Sequence, residues 1–111
     1  MTAVKIPADL DRLIHEPARF YIVSHLFVVK KADFVMLARQ TSMTGGNLSS
    51  HMTKLEKAGY VAVEKSFVDK RPQTVYQLTR KGRNAFVAYR ETMARMLQDS
   101  VPSESRKSDP Q

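Results

Sequence analysis

TGGNLSSHMTKLEKAG, running from Thr44 to Gly59 within the longer stretch Asp33–Tyr60, puts its large apolar residues on one side of a helix. At about 100° per residue, Leu48, Met52 and Leu55 fall on a single stripe. Gly46, Asn47, Ser49, Ser50, Thr53, Lys54 and Lys57 occupy the rest of the wheel. A surface helix normally carries long charged side chains on its outer face. Here the outer face of the first two turns is small and polar, so a partner's backbone can come close and still find hydrogen bonds. Asn, Ser and Thr reach base edges in a DNA major groove, and Lys reaches phosphate. A plain amphipathic helix with a short-chain surface fits the same wheel, and both readings stand at this point.

The ends of the stretch sharpen the first reading. Thr44 is an N-cap, its hydroxyl able to accept from the free N–H groups of the first turn. Asn47, three residues on, is not the Glu or Gln of a full capping box. Gly45 and Gly46 in the first turn each cost roughly 1 kcal/mol of helix propensity relative to Ala. That cost makes sense if the helix N-terminus approaches phosphate, which its N–H groups and dipole favour. It also makes sense if the glycines only permit the preceding turn. Gly59 closes the helix from the C′ position.

Upstream, Asp33 caps a short helix over 34–40 in which Phe34, Leu37 and Ala38 repeat at three and four. Thr41, Ser42 and Met43 form a tight turn between the two helices, the helix-turn-helix arrangement. Before that, Asp9 is read as capping a short helix with Leu10, Leu13 and Ile14 as its apolar positions. Pro17 fits the first turn of the next helix, which runs to Val29. The wide apolar face of that helix (Phe20, Ile22, Val23, Leu26 and Phe27) implies that it is largely buried. Lys30 and Lys31 lie at its C-terminal end, where the dipole favours cations. Ala32-Asp33-Phe34 reads as a brief extended link.

Downstream, Val61, Val63 and Phe67 alternate with Ala62, Glu64 and Ser66, a strand pattern, and 75–78 is a second strand. Between them lies a basic turn, 68–72, with Pro72 at a strand entrance and Lys65, Lys70 and Arg71 near the tip. A hairpin directly after such a helix has the shape of a wing, whose Arg can enter a minor groove. Thr79 caps a last helix to Leu97 with the stripe Phe86, Tyr89, Met93 and Met96/Leu97. Arg80, Lys81 and Arg83 sit at the helix end that disfavours cations, either as solvated charge or beside a polyanion.

The chain has 111 residues, which implies one domain, 1–97, with a Ser-, Pro- and charge-rich disordered tail over 98–111. That length holds a modest core but no separate ligand domain. The net charge of +7 favours a polyanionic partner, nucleic acid first, although many small soluble proteins are simply basic. With no cysteine, disulfides, thiolate redox sensing and thiolate metal sites are excluded. No apolar run is long enough to span a bilayer, and Met1–Asp9 lacks a signal-peptide core, so a cytoplasmic protein without a membrane partner is expected. His15, His25 and His51 lie on different expected helices, and no pair has metal-ligand spacing. Neither a phosphate-binding Gly loop nor a nucleophile motif is present. An enzyme, a metal and a cofactor are therefore not expected. His15 beside Glu16 is the pair worth testing for a metal or pH response, against the usual role of an isolated His as a structural residue. His51 sits at the edge of the buried stripe, where packing or a hydrogen bond comes before a base contact.

The segments 13–19 (LIHEPAR), 47–51 (NLSSH), 55–61 (LEKAGYV), 65–67 (KSF), 71–74 (RPQT) and 78–83 (LTRKGR) resemble the winged-helix transcription regulators of the MarR/ArsR-like kind. More narrowly, the chain resembles the small stand-alone winged-helix DNA-binding regulators of bacteria and archaea. The resemblance implies an α+β, mainly α fold: a winged helix-turn-helix with a two-stranded wing and a C-terminal dimerisation helix. It implies a homodimer that binds a pseudo-palindromic operator in double-stranded DNA and regulates transcription. Carried over by position, the DNA-binding residues are Thr44, Gly46, Asn47, Ser49, Ser50 and Lys54 on the recognition helix and Lys70 and Arg71 on the wing. The first and last helices make the dimer interface, which assigns to it Leu10, Leu13, Ile14, Phe86, Tyr89, Met93 and Leu97. The chain lacks the extra helices of MarR-like proteins that build a large effector pocket, so a small-molecule effector has no residue behind it. The alternative function is a winged-helix protein–protein interaction module. The small polar face at Gly46–Ser50 fits a groove better than a protein hot spot, which favours Trp, Tyr and Arg.

Overall fold

A computed structural model describes residues 6–102. The element order is α1 (Pro17–Val29), β1 (Lys31–Asp33), α2 (Phe34–Thr41), α3 (Gly45–Lys57), β2 (Val61–Val68), β3 (Arg71–Leu78) and α4 (Arg80–Asp99). The three strands form one antiparallel sheet in the order β1-β3-β2. The core gathers Ile14 from the N-terminal turn, Ile22, Val23 and Leu26 from α1, Leu37 from α2, and Leu48, Met52 and Leu55 from α3. Val61, Tyr76 and Leu78 of the sheet and Phe86 and Tyr89 of α4 close it.

The chain before α1 is a series of turns rather than a helix capped by Asp9. Asp11 takes the capping part: its Oδ1 accepts from the N–H groups of Leu13 and Ile14, both at 3.0 Å. Pro17 forbids a helix running through its predecessor. Glu16 is accordingly extended (φ −151°, ψ 132°) and caps α1 by accepting from the Arg19 N–H. Asp9 instead pairs with Arg95 of α4 at 3.2 Å on the surface.

Helix α1 is buried on one side only. Phe20 is 43% exposed and Val28 76%, so the expectation of a largely buried helix fails for half its circumference. Lys30, at φ 74°, ends the helix and turns the chain back. The expected link at 32–34 is then strand β1, with Lys31, Ala32 and Asp33 paired to Gln77, Tyr76 and Val75. The hairpin is thus two-stranded but belongs to a three-stranded sheet.

Strand β3 begins at Arg71, four residues before the expected Val75, and Val68 pairs directly with Arg71. The turn shrinks to Asp69 and Lys70, with φ of 51° and 66°. Two successive left-handed residues make the tight turn whose twist matches that of a hairpin. Helix α4 continues past Leu97 to Asp99, with Ser100 as its C-cap, so the expected boundary at 97/98 cuts through a helix. Residues 1–5 of the expected leader and 103–111 of the expected tail lie outside the described residues.

The junction between α3 and α4 is held by the segments 55–61 and 78–83. Gly59 takes φ 81°, which lets the chain leave α3. The Thr79 hydroxyl donates to the Gly59 carbonyl at 2.6 Å and accepts from the Gly82 N–H at 3.0 Å. The Thr79 N–H donates to the Tyr60 carbonyl at 3.0 Å. Gly82 lies so close that a Cβ there would strike the Tyr60 carbonyl oxygen. The LEKAGYV and LTRKGR segments are therefore the two halves of one contact.

Candidate nucleic-acid interface

Helix α3 follows its sequence pattern closely. The Thr44 hydroxyl accepts from the Asn47 N–H at 3.1 Å, the expected cap. Leu48, Met52 and Leu55 are all 2% exposed or less. Gly46, Asn47, Ser49, Ser50, Thr53 and Lys54 are all exposed. Neither first-turn glycine is required by the chain itself. Both have ordinary negative φ, since Gly59 is the positive-φ glycine. A Cβ on Gly46 would meet nothing within 4 Å, and one on Gly45 would make an ordinary 3.8 Å contact with the Phe34 ring. The preceding turn is made instead by Ser42, at φ 57°, with the Thr41 hydroxyl donating to the Leu37 carbonyl at 2.7 Å.

Phe34 links this helix start to the hairpin. Its ring lies against Gly45 on one side and 6.4 Å from the Tyr76 ring of β3 on the other. An open cleft of about 630 Å³ separates the start of α2 (Asp33–Val35) from the hairpin tip and β3 (Val68, Asp69, Arg71–Thr74). Lys70 and Arg71 are exposed at the tip. Lys65, also exposed, is opposite Thr74 and so lies further down the hairpin than expected.

The basic start of α4 has an intrachain explanation at two of its three positions. The Arg83 guanidinium lies 5.0 Å from the Phe27 ring centre and the Lys81 ammonium 5.9 Å from that of Tyr60. Both are cation–π contacts. Arg80 remains exposed.

His51, at the edge of the buried stripe, makes a hydrogen bond, but its partner was not legible in the sequence. Arg19 Nη1 lies 3.1 Å from its Nδ1, and Glu16 Oε1 lies 3.9 Å away. His15 faces elsewhere, with its Nδ1 2.9 Å from the Tyr89 hydroxyl. The neighbours His15 and Glu16 thus serve different partners. Among the described residues no three His, Asp or Glu side chains are grouped to hold a metal ion.

Of the residues assigned to a dimer interface, Leu10, Ile14, Phe86 and Tyr89 are buried in the protomer's own core. Leu13 and Met93 are partly buried against it, and Leu97 is 65% exposed. Each of these four is 7% exposed or less in the single chain, which leaves little of it for a second copy. A helical stripe announces that something covers it, not whether the cover is the same chain. The exposed apolar residues of these helices are Leu97, from the assigned set, and otherwise Phe20, Tyr21, Val28 and Val29 on α1 and Val87 on α4. Phe20 lies over Phe86 and Tyr89, at 6.2 and 5.9 Å between ring centres, so its half-exposed ring extends the α1–α4 surface.

Comparison with known proteins matches residues 18–97 to the winged helix DNA-binding domain family. Uncharacterized protein MJ0432 of Methanocaldococcus jannaschii is 33% identical over 78 residues, which are 70% of this chain and 85% of that one. Among solved structures, a transcriptional regulator homologue from Pyrococcus horikoshii OT3 superposes with a TM-score of 0.75 at 28% identity, covering 80% of this chain and 88% of that one. Reduced AbfR, solved bound to DNA, shares the fold with a TM-score of 0.66 at 20% identity, over 88% of this chain and 68% of its own. With the family covering both the helix-turn-helix and the hairpin, the chain belongs to the winged helix DNA-binding domain family and is a small winged-helix transcriptional regulator of the kind its sequence resembles.

Proposed function

We propose that this regulator binds double-stranded DNA as a homodimer, with α3 in the major groove and the tip of the β2–β3 hairpin at the minor groove. One observation carries the reading. The outer face of α3 is small, polar and exposed, and its two first-turn glycines answer no steric need within the chain. Glycines without an intrachain purpose fit a helix start that must lie close to a phosphate backbone. Asn47, Ser49 and Ser50 then face base edges, Lys54 faces phosphate, and Thr44 sets the helix start. Lys70 and Arg71 supply positive charge to the minor groove. The net charge of +7 agrees with this partner, as does the DNA-bound state of a protein with the same fold. The protein acts as a binding module rather than an enzyme. A cytoplasmic location follows from that role, and among the described residues no helix is long and apolar enough to cross a membrane.

The outer surface of α1 and α4 serves dimerisation, with Phe20, Tyr21, Val28, Val87 and Leu97 replacing the buried residues. Two copies present their α3 helices about 34 Å apart, one turn of DNA. Selection from a random duplex pool followed by hydroxyl-radical footprinting tests this. The expected result is an inverted repeat with two protected patches one turn apart. Recovery of no consensus, with no protection, refutes the reading and leaves a protein-interaction module.

A further inference from the structure

We infer that Arg19 is a positioning residue for the DNA-reading helix, fixing α3 through His51 by a contact that exists only while His51 is neutral. The inference rests on the proposed DNA-binding role of α3.

Arg19 is held at several points. Its backbone N–H donates to Glu16 Oε1 at 2.7 Å, and its Nε–H donates to the Leu13 carbonyl at 2.6 Å. That leaves Nη1 aimed at His51 Nδ1, 3.1 Å away on α3. A guanidinium can only donate, so Nδ1 must be the acceptor and the single ring proton lies on Nε2. Protonating the ring puts an N–H on Nδ1 and sets two cations against each other.

Glu16 is the nearest anion, at 3.9 Å, but the same oxygen already caps α1 through the Arg19 amide. Among the described residues, α2 and β2 bring no charged group within hydrogen-bond or ion-pair distance of the ring. On α3 itself Lys54, one turn on, is exposed. A charged His51 must therefore give up the Arg19 bond and turn toward Glu16, whose carboxylate keeps acceptor sites free beside its cap. That exchange moves the point at which the start of α1 holds α3. The side chain of His51 is only 20% exposed, so solvent is a poor substitute for that partner.

Affinities for a selected duplex and an unrelated duplex, measured at fixed ionic strength from about pH 8 to about pH 5.5, test the inference. The wild-type preference should fall roughly fivefold or more toward acid pH. His51→Asn offers an acceptor in place of Nδ1 without titrating, so its preference should stay high and flat. Arg19→Met should show a low preference at every pH, with thermal melts confirming that both variants fold. A DNA-free measurement runs beside this one: the His51 Nδ1 nitrogen resonance, read in the neutral ring, should move in Arg19→Met, because its hydrogen-bond donor is removed. An unmoved resonance overturns the tether. A moved resonance with a pH-independent wild-type preference overturns the positioning role. A moved resonance in a chain that prefers no duplex overturns the DNA reading of α3.

Discussion

Gly82 and Gly46 differ in what a side chain would meet, and substitution separates them. A Cβ on Gly82 would strike the Tyr60 backbone, so Gly82→Ala should cost about 2 kcal/mol or more, read as a lower melting temperature. An unchanged melt would mean that the Gly59–Tyr60 and Thr79–Gly82 contact does not hold α4. A Cβ on Gly46 meets only open space. Gly46→Ala should therefore stabilise the fold by up to about 1 kcal/mol, yet weaken binding if this turn lies against a DNA backbone. Tyr60 supplies a pH signature. Burial, the hydrogen bond it donates to Asp11 and the charge of that carboxylate push its hydroxyl up to about 12 from 10.0. The folded state thus holds the proton more tightly than the unfolded one. The stabilisation is complete below about pH 10 and is lost as pH rises through about 12. Burial also raises Tyr76 and Tyr89, with the charges of Glu56 and Asp11 adding to it, so the alkaline loss is shared. Tyr60→Phe should cost about 1 kcal/mol at neutral pH and flatten the alkaline fall in urea midpoint. A slope as steep as wild type would contradict the Tyr60–Asp11 pairing.

At the scale of elements, the hairpin tip separates stability from binding. Lys70 sits at φ 66°, a conformation that costs a non-glycine residue roughly 1 kcal/mol. Lys70→Gly should raise the melting temperature while lowering DNA affinity. Arg71→Ala should weaken binding by about 1–3 kcal/mol and leave the melt nearly unchanged, since the side chain is exposed. Equal affinity for the selected duplex would remove the wing from the interface. The elements differ in how far the sequence reveals them, for physical reasons. Helix α3 was legible because a thirteen-residue helix repeats its apolar stripe often enough to read. Strand β1 was not, because three residues hold no alternation and its pairing partners lie more than forty positions away. The first half of β3 was hidden because Arg71–Thr74 overhang the core and carry no buried face. The outward face of α3 was readable from residue types, whereas the Arg19–His51 tie joins positions 32 apart and leaves no local pattern. Helix α1, apolar nearly all round, did not reveal which side meets its own core.

At the scale of the whole molecule, that ambiguity decides which surface is left for a second copy. Four residues chosen for an interface fill the protomer, and the outer surface of α1 and α4 remains. Val28→Asp places a charge where the side chain is 76% exposed, so the fold should tolerate it. Under the proposed dimer, sedimentation should report a dimer for wild type and a monomer for this variant, with an unchanged melt. A dimer that persists would place the interface elsewhere. A monomer reads one half-site and should lose most of the preference for an inverted repeat. The excess of cations adds a sequence-independent attraction, which salt weakens as counterions are released from phosphate. Salt therefore distinguishes reading from coating. The most direct measurement is the affinity for a fluorescent duplex from the promoter region beside its own gene, against an unrelated duplex, over a series of salt concentrations. A preference for the promoter duplex that survives as salt rises is the predicted result. Equal, salt-fragile affinity for both, or none for either, would contradict a sequence-reading role for α3.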